Sequence, residues 1–199
     1  MKIPLISSLF KAKTREAGWL AVGLARHGVY LVQVEFRGVR PRVVRCEYHE
    51  TGAEPALQLT HIKRDAGLGA VVCTTLLAFG EYQMMLVNAP NVPDNELKAA
   101  VRWKIKDSLH YSIDDAAVDV LKIPANKNRP DRSQSLYAIA VPNEVIQKRI
   151  SLFDQAGLEL GVIDIPEAAQ RNIAALFEQN DRGLAVLAFD EQGGLLTFT

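Results

Sequence analysis

Apolar and polar positions alternate with a period of two near the start of the chain. In Trp19–Ala25, Val22 and Leu24 fall on one side; beyond the His27–Gly28 bend, Val29 and Leu31 continue the pattern through Gly28–Arg37. A second bend at Arg37–Gly38 leads into a third run over 40–48. Short antiparallel hairpins follow from this spacing. The period then changes. "EPALQLTHIKRDAGLG" places Leu57, Ile62 and Leu68 on or near one helical face, with Gly67 and Gly69 as stops. "AVVCTTL" is continuously apolar over strand length, the pattern of a strand buried on both faces.

A second block has its own rhythm. "YQMMLVNAP" is a strand ending at Pro90, and Pro93-Asp94-Asn95-Glu96 opens a helix with acids where its dipole favours them. Leu97, Val101, Ile105 and Leu109 recur at i+4 and give that helix one buried stripe. Strands are predicted over 117–123 and 135–141, separated by the polar loop "PANKNRPDRSQ". Alternation resumes at Pro142. A helix capped by Asn143 carries Val145, Ile146, Ile150 and Phe153 and stops at Gly157. A strand over 160–165, a helix opened by Pro166 and a strand over 183–189 follow, before a turn at Gly193–Gly194 into "LLTFT".

Three antiparallel strands, a crossover helix and a buried strand begin an α/β subdomain of the ribonuclease-H-like or actin-like kind. The strand–helix–strand–strand block reads as an insertion into it. The expected organisation is an N-terminal arm at 1–18, one subdomain over 19–78 and 143–182, the insert at 79–142, and the start of a truncated second domain at 183–199. An apolar terminal strand is an exposed edge. The expectation is therefore the N-terminal part of a longer protein, or else a strand completed by a dimer partner.

Composition narrows the function classes. Lys+Arg and Asp+Glu number 23 each, and this balance argues against a nucleic-acid binder working by bulk positive charge. Cys46 and Cys73 lie far apart in predicted strands, without a CxxC, and read as two buried thiols of a reducing compartment. No apolar run approaches the ~18 residues of a membrane span, which with the thiols suggests a cytoplasmic protein. Ile6, Leu9 and Phe10, followed by Lys11, Lys13 and Arg15, read as a frayed terminus or a weak membrane- or partner-docking arm.

Candidate chemistry is sparse. His27, His49, His61 and His110 lack metal-ligand spacing, and no GxSxG, Walker A or GxGxxG motif occurs. Asp114 and Asp115 read as a solvated turn before a strand that contains Asp119. Asp164 and Glu167 flank a strand end where α/β folds place ligands, although a structural carboxylate at a helix start is the commoner case. Trp103 falls off the apolar stripe beside Lys104 and Lys106. It is either an interface anchor or a packing residue, and Tyr82, Met84 and Met85 on the neighbouring strand share that choice.

"NAPNVPDNELKAAVRWKIKDSLHYSIDDAAVDVLKIP" resembles the PilM family of type IV pilus assembly proteins, and "AGLELGVIDIPEAAQRNIAAL" resembles that family's second signature. The run Arg102-Trp103-Lys104-Ile105-Lys106-Asp107 is most similar to its MshI branch, which serves mannose-sensitive haemagglutinin (MSHA) pili. The resemblance implies an actin-like fold with an FtsA-type insert, at the cytoplasmic face of the inner membrane. The implied partner is a short cytoplasmic peptide of a PilN-like membrane protein, here an MshJ-type subunit, bound between the insert and the main sheet. Trp103, Lys104, Tyr82 and Met84 are the candidate partner-binding residues.

ATP-binding relatives carry a hairpin similar to "IDIGSSSIKLVEL", in which Asp handles the metal, Gly lets backbone N–H groups reach phosphate and Lys adds charge. In the corresponding hairpin here, Gly23 stands where the acid belongs, Ala25 replaces the glycine and Tyr30 replaces the base. Arg26 and His27 occupy the turn, where exposure is commoner than anion binding. A second phosphate loop would follow Leu187-Ala188-Phe189-Asp190, but its acid is out of place and Glu191 adds a second carboxylate. The expectation is a scaffold with no nucleotide cofactor, no catalytic residue and no metal. The alternatives are an actin-like ATPase switch and, more distantly, a small-molecule kinase of the same superfold.

Overall fold

The computed structural model describes residues 18–37, 40–50, 55–69, 71–123, 134–178, 182–190 and 193–198. The N-terminal arm, the Arg37–Gly38 bend and most of the loop after Ile123 lie outside the described residues. The chain divides into two compact units, one formed by 1–78 with 150–199 and the other by 79–149.

The first unit holds a five-stranded sheet built from β1 (Trp19–Ala25), β2 (Gly28–Arg37), β3 (Arg40–Glu50), β4 (Val72–Leu76) and β8 (Glu159–Asp164), in the order β3-β2-β1-β4-β8. β1, β2 and β3 pair antiparallel, whereas β4 lies parallel to both β1 and β8. The helix α1 (Pro55–Asp65) provides the crossover into β4. One face of the sheet buries Leu20, Val22, Val29 and Leu31 against Leu59 and Ile62 of α1. Phe153, from the end of α3 (Asn143–Gln155), completes this core together with Ala156 and Leu158. Gly67 and Gly157 end the two helices at φ +59° and +66°, a left-handed turn that costs glycine nothing.

The remainder of this unit is α4 (Pro166–Ala174) with the hairpin of β9 (Ala185–Asp190) and β10 (Gly193–Phe198). Buried Gln170 ties them together, its amide donating to Val186 O at 2.7 Å and Leu195 O at 3.0 Å.

The second unit is a three-stranded antiparallel sheet, order β5-β7-β6, covered on one face by a helix. Its strands are β5 (Gln83–Asn88), β6 (Ala116–Lys122) and β7 (Ser135–Pro142), and the helix is α2 (Asp94–Ile105). Leu97, Val101 and Ile105 pack on Ala116, Val118, Leu136, Ala138 and Ala140, with Met85 and Val87 beside them. α2 opens with Asp94 and Glu96 in its first turn, and Glu96 N donates to Pro93 O at 2.9 Å. A 3₁₀ turn over Lys106–Ser108 ends it, so Leu109 joins the core from beyond the helix rather than from its stripe.

The structure corrects several expectations. Cys46 is exposed, because its register partners Val32 and Ala21 lie on the sheet face opposite the core; Cys73, beside Leu20 on the core face, is buried. Leu57 is also exposed, and Leu59 takes the core position on α1. Of the expected α3 stripe only Phe153 is fully buried. Asn143 is the first residue of α3, and its side-chain amide donates to Asp114 O at 3.4 Å.

Candidate functional site

The β1–β2 hairpin is where a phosphate loop would sit. Register pairs Gly23 with Tyr30 and Ala25 with Gly28, and across β2 and β3 Tyr30 faces Tyr48. The two tyrosine rings lie 4.6 Å apart between centroids, tilted by 41°. Tyr48 also covers the turn, since a Cβ built on Gly28 would stand 2.4 Å from its ring atoms. Gly28 is therefore buried while Arg26 and His27 are exposed. A phosphate cradle needs backbone N–H groups open to a close-approaching ligand. Here an aromatic pair occupies that approach at Gly28, and Gly23 brings no carboxylate for a metal.

Of the second expected loop, the described residues include only the strand that leads to it. β9 carries Leu187, Ala188 and Phe189 outward to solvent, and Glu191 lies outside the described residues. Among the described residues no group of three His, Cys, Asp or Glu is placed to hold a metal ion. His49 Nε2 lies 3.2 Å from Glu47 Oε2, a surface contact.

Among the described residues Asp164 is the one strongly perturbed carboxylate. It closes β8, where it is 6% exposed, and its Oδ1 accepts from Ile165 N at 2.8 Å. Burial pushes the carboxyl up to about 6; the Ile165 N–H opposes the rise and Glu167 adds to it. The Asp164 carbonyl accepts from Leu77 N at 2.8 Å, and the buried Thr75 hydroxyl donates to Val22 O at 2.8 Å. These bonds join the ends of neighbouring strands, a structural role. Burial also raises the Cys73 thiol to about 11, which makes it a poor nucleophile.

The second unit presents a different kind of surface. Trp103 is 73% exposed, with Lys106 Nζ standing 5.3 Å over its ring. Lys104, the next residue, turns to β5 and donates to Asn88 O at 2.9 Å. Met84 and Leu86 are exposed on β5, whereas Met85 turns into the core and Tyr82 is half-buried. Gln83–Asn88 together with Lys104, Ile105 and Ser108 line an open groove of about 730 Å³. Lys104 and Met84 thus share one groove, and Trp103 stands on the same helix as its rim. The groove itself escaped the sequence reading; its signal was the alternation Met84, Leu86, Asn88 on a strand whose other side is core.

The family model described as type IV pilus assembly protein PilM matches residues 82–190, more than half of the chain. The chain belongs to the PilM family. The matched span takes in β5, α2 and the groove between them. Among solved structures, the chain is similar to one titled "PilM-PilN type IV pilus biogenesis complex", with a TM-score of 0.74 and 21% identity over 91% of this chain. It spans 57% of that relative's length. It is also similar to the cytoplasmic domain of EpsL, an inner-membrane component of the type II secretion system of Vibrio cholerae. There the TM-score is 0.57 and identity 12%, covering 90% of this chain and 70% of the other. No curated protein matches the sequence. These likenesses give the PilM-family chain an actin-like fold, as its sequence implied. No helix among the described residues is long and apolar enough to cross a membrane.

Proposed function

We propose that this chain is a non-catalytic scaffold of type IV pilus assembly. In this reading it holds a short cytoplasmic segment of a PilN-like membrane protein, and through it stays peripheral to the inner membrane. The finer assignment is an MSHA-type pilus with an MshJ-type partner, carried by the resemblance of the 102–107 run to the MshI branch. Membership of the PilM family supports the assembly role, and the PilM–PilN title of the similar structure supports the choice of partner.

The observation that supports a scaffold over a nucleotide switch is the first hairpin. Gly23 lacks the carboxylate that would handle a metal, and Tyr48 lies against Gly28 where backbone donors would meet phosphate. The test is thermal unfolding with and without Mg²⁺–ATP. A ligand at ~100-fold over its Kd stabilises by about 2.7 kcal/mol, which melting detects readily. The expected result is no shift with nucleotide, together with co-purification of the PilN-like segment. A clear Mg²⁺–ATP shift would overturn the scaffold reading in favour of an actin-like nucleotide switch.

A further inference from the structure

The two edges of the second unit's sheet are treated differently. At the β6 edge, Arg102 donates from Nη1 to Ala116 O at 2.7 Å and from Nη2 to Ile113 O. Lys98 pairs with Asp119 at 3.2 Å and Lys122 with Asp94 at 2.5 Å. Charged side chains of this kind discourage an added strand. At the β5 edge the corresponding charged contact among the described residues is that of Lys104, at the strand's last residue.

Backbone direction along β5 can be read from two bonds. Ala89 N donates to Gln134 O, just before β7, so Ala89 points inward to the sheet. Successive strand residues alternate sides, so Asn88, Leu86 and Met84 point their N–H and C=O groups outward. The Lys104 bond to Asn88 O, arriving from α2, agrees. No strand pairs with the outward groups of Met84 and Leu86 among the described residues. Their side chains stand on the sheet face away from α2, since Met85 and Val87 take the helix side.

We propose that the β5 edge accepts an extended peptide as a fourth strand, one whose alternate residues are apolar and acidic. The apolar side chains extend the Met84–Leu86 face. The acidic ones fall on the helix side, where Lys104 lines the groove and has no carboxylate partner among the described ion pairs. Lys104 then exchanges the Asn88 carbonyl for a carboxylate, and that carbonyl is freed to accept from the incoming strand. At the far end of the groove, Gln83 Oε1 is buried without a hydrogen-bond partner and suits a hydroxyl donor. Main-chain pairing supplies affinity and the alternation supplies specificity. The proposal rests on the scaffold reading and adds the chemistry of a partner to it.

The test is fluorescence anisotropy of the protein with a fluorescein-labelled peptide TVEVEVT, which reads nearly the same in both strand directions. Its controls are TVKVKVT and TVEPEVT. Saturable binding is expected for the acidic peptide alone, weakening with added salt. Lys104→Glu should weaken it about tenfold or more, and improve the lysine peptide, because an attractive charged contact becomes a repulsive one. Leu86→Pro removes an outward N–H without touching the β5–β7 ladder and should lower affinity by a similar factor. Circular dichroism and melting verify that both variants fold. If either fails, Leu86→Lys, which puts a charge on the exposed face, serves instead.

Equal binding of all three peptides, no binding of the acidic one, or affinity unchanged in the folded variants overturns the proposal. The PilN-like segment is titrated in parallel. If it binds wild type and variants alike while TVEVEVT does not bind, the edge proposal fails and the scaffold reading stands. Loss of all binding by that segment to wild type would instead count against the scaffold reading.

Discussion

Replacing Asp164 with Asn should stabilise the protein at neutral pH and leave it nearly unchanged in acid. The carboxyl is 6% exposed and held at about 6 against an ordinary 3.8, mainly by burial. A pKa raised by folding means that the native state prefers the protonated acid. That contribution is fully present below pH 3.8 and is lost as pH rises through about 6. The rise from 3.8 to about 6 corresponds to about 3 kcal/mol once the group is ionised. Asparagine keeps an oxygen to accept from Ile165 N and never ionises, so Asp164→Asn escapes the penalty. We predict a gain of about 2–3 kcal/mol at pH 7.5, falling to about 1 kcal/mol at pH 4.5 and towards zero below pH 3.8. Urea unfolding at four pH values between these limits measures it as a change in midpoint at constant slope. A difference that does not vary with pH, or a variant less stable than wild type at pH 7.5, would refute the argument.

Three further predictions follow from packing. Gly28→Ala places a methyl against the Tyr48 ring and should cost about 1–3 kcal/mol. In a cycle with Tyr48→Ala most of that cost should vanish, and additive effects would show that the ring is not what crowds the turn. Phe153→Ala empties the centre of the first core and should destabilise by about 3–5 kcal/mol in chemical denaturation; a loss below ~1 kcal/mol would contradict its burial. Arg102→Ala leaves the Ala116 and Ile113 carbonyls without their guanidinium donor and should loosen the entry to β6. Hydrogen exchange there should speed up, and unchanged protection would show the contacts to be dispensable.

Sequence periodicity determined most of the secondary structure. Trp19–Ala25 and Gly28–Arg37 alternate because one face of each strand is core, and β1 and β2 occupy those residues. The i+4 stripe of Leu97, Val101 and Ile105 became the buried face of α2, and Gly67 and Gly157 ended their helices at positive φ. The missing acid and base of the first hairpin were visible as well, because such chemistry depends on residue identity at a fixed place in a local motif. The family resemblance of 90–124 likewise needed only the chain itself.

What eluded the sequence depends on neighbours distant along the chain. Cys46 sits in as good a strand as Cys73, yet strand pairing sets Cys46 beside Val32 on the open face of the sheet and Cys73 beside Leu20 on the core face, so one thiol is exposed and the other buried. Asp164 gained its raised pKa from burial, which no local pattern states. The Tyr48 ring closes the Gly28 turn from a strand twenty residues away. The β5 groove exists because the order β5-β7-β6 leaves that strand unpaired on one side, with Lys104 of α2 beside it. Periodicity and residue identity act along the chain and can be read from it. Strand order, edges and burial are set by long-range pairing, and only the tertiary structure decides them.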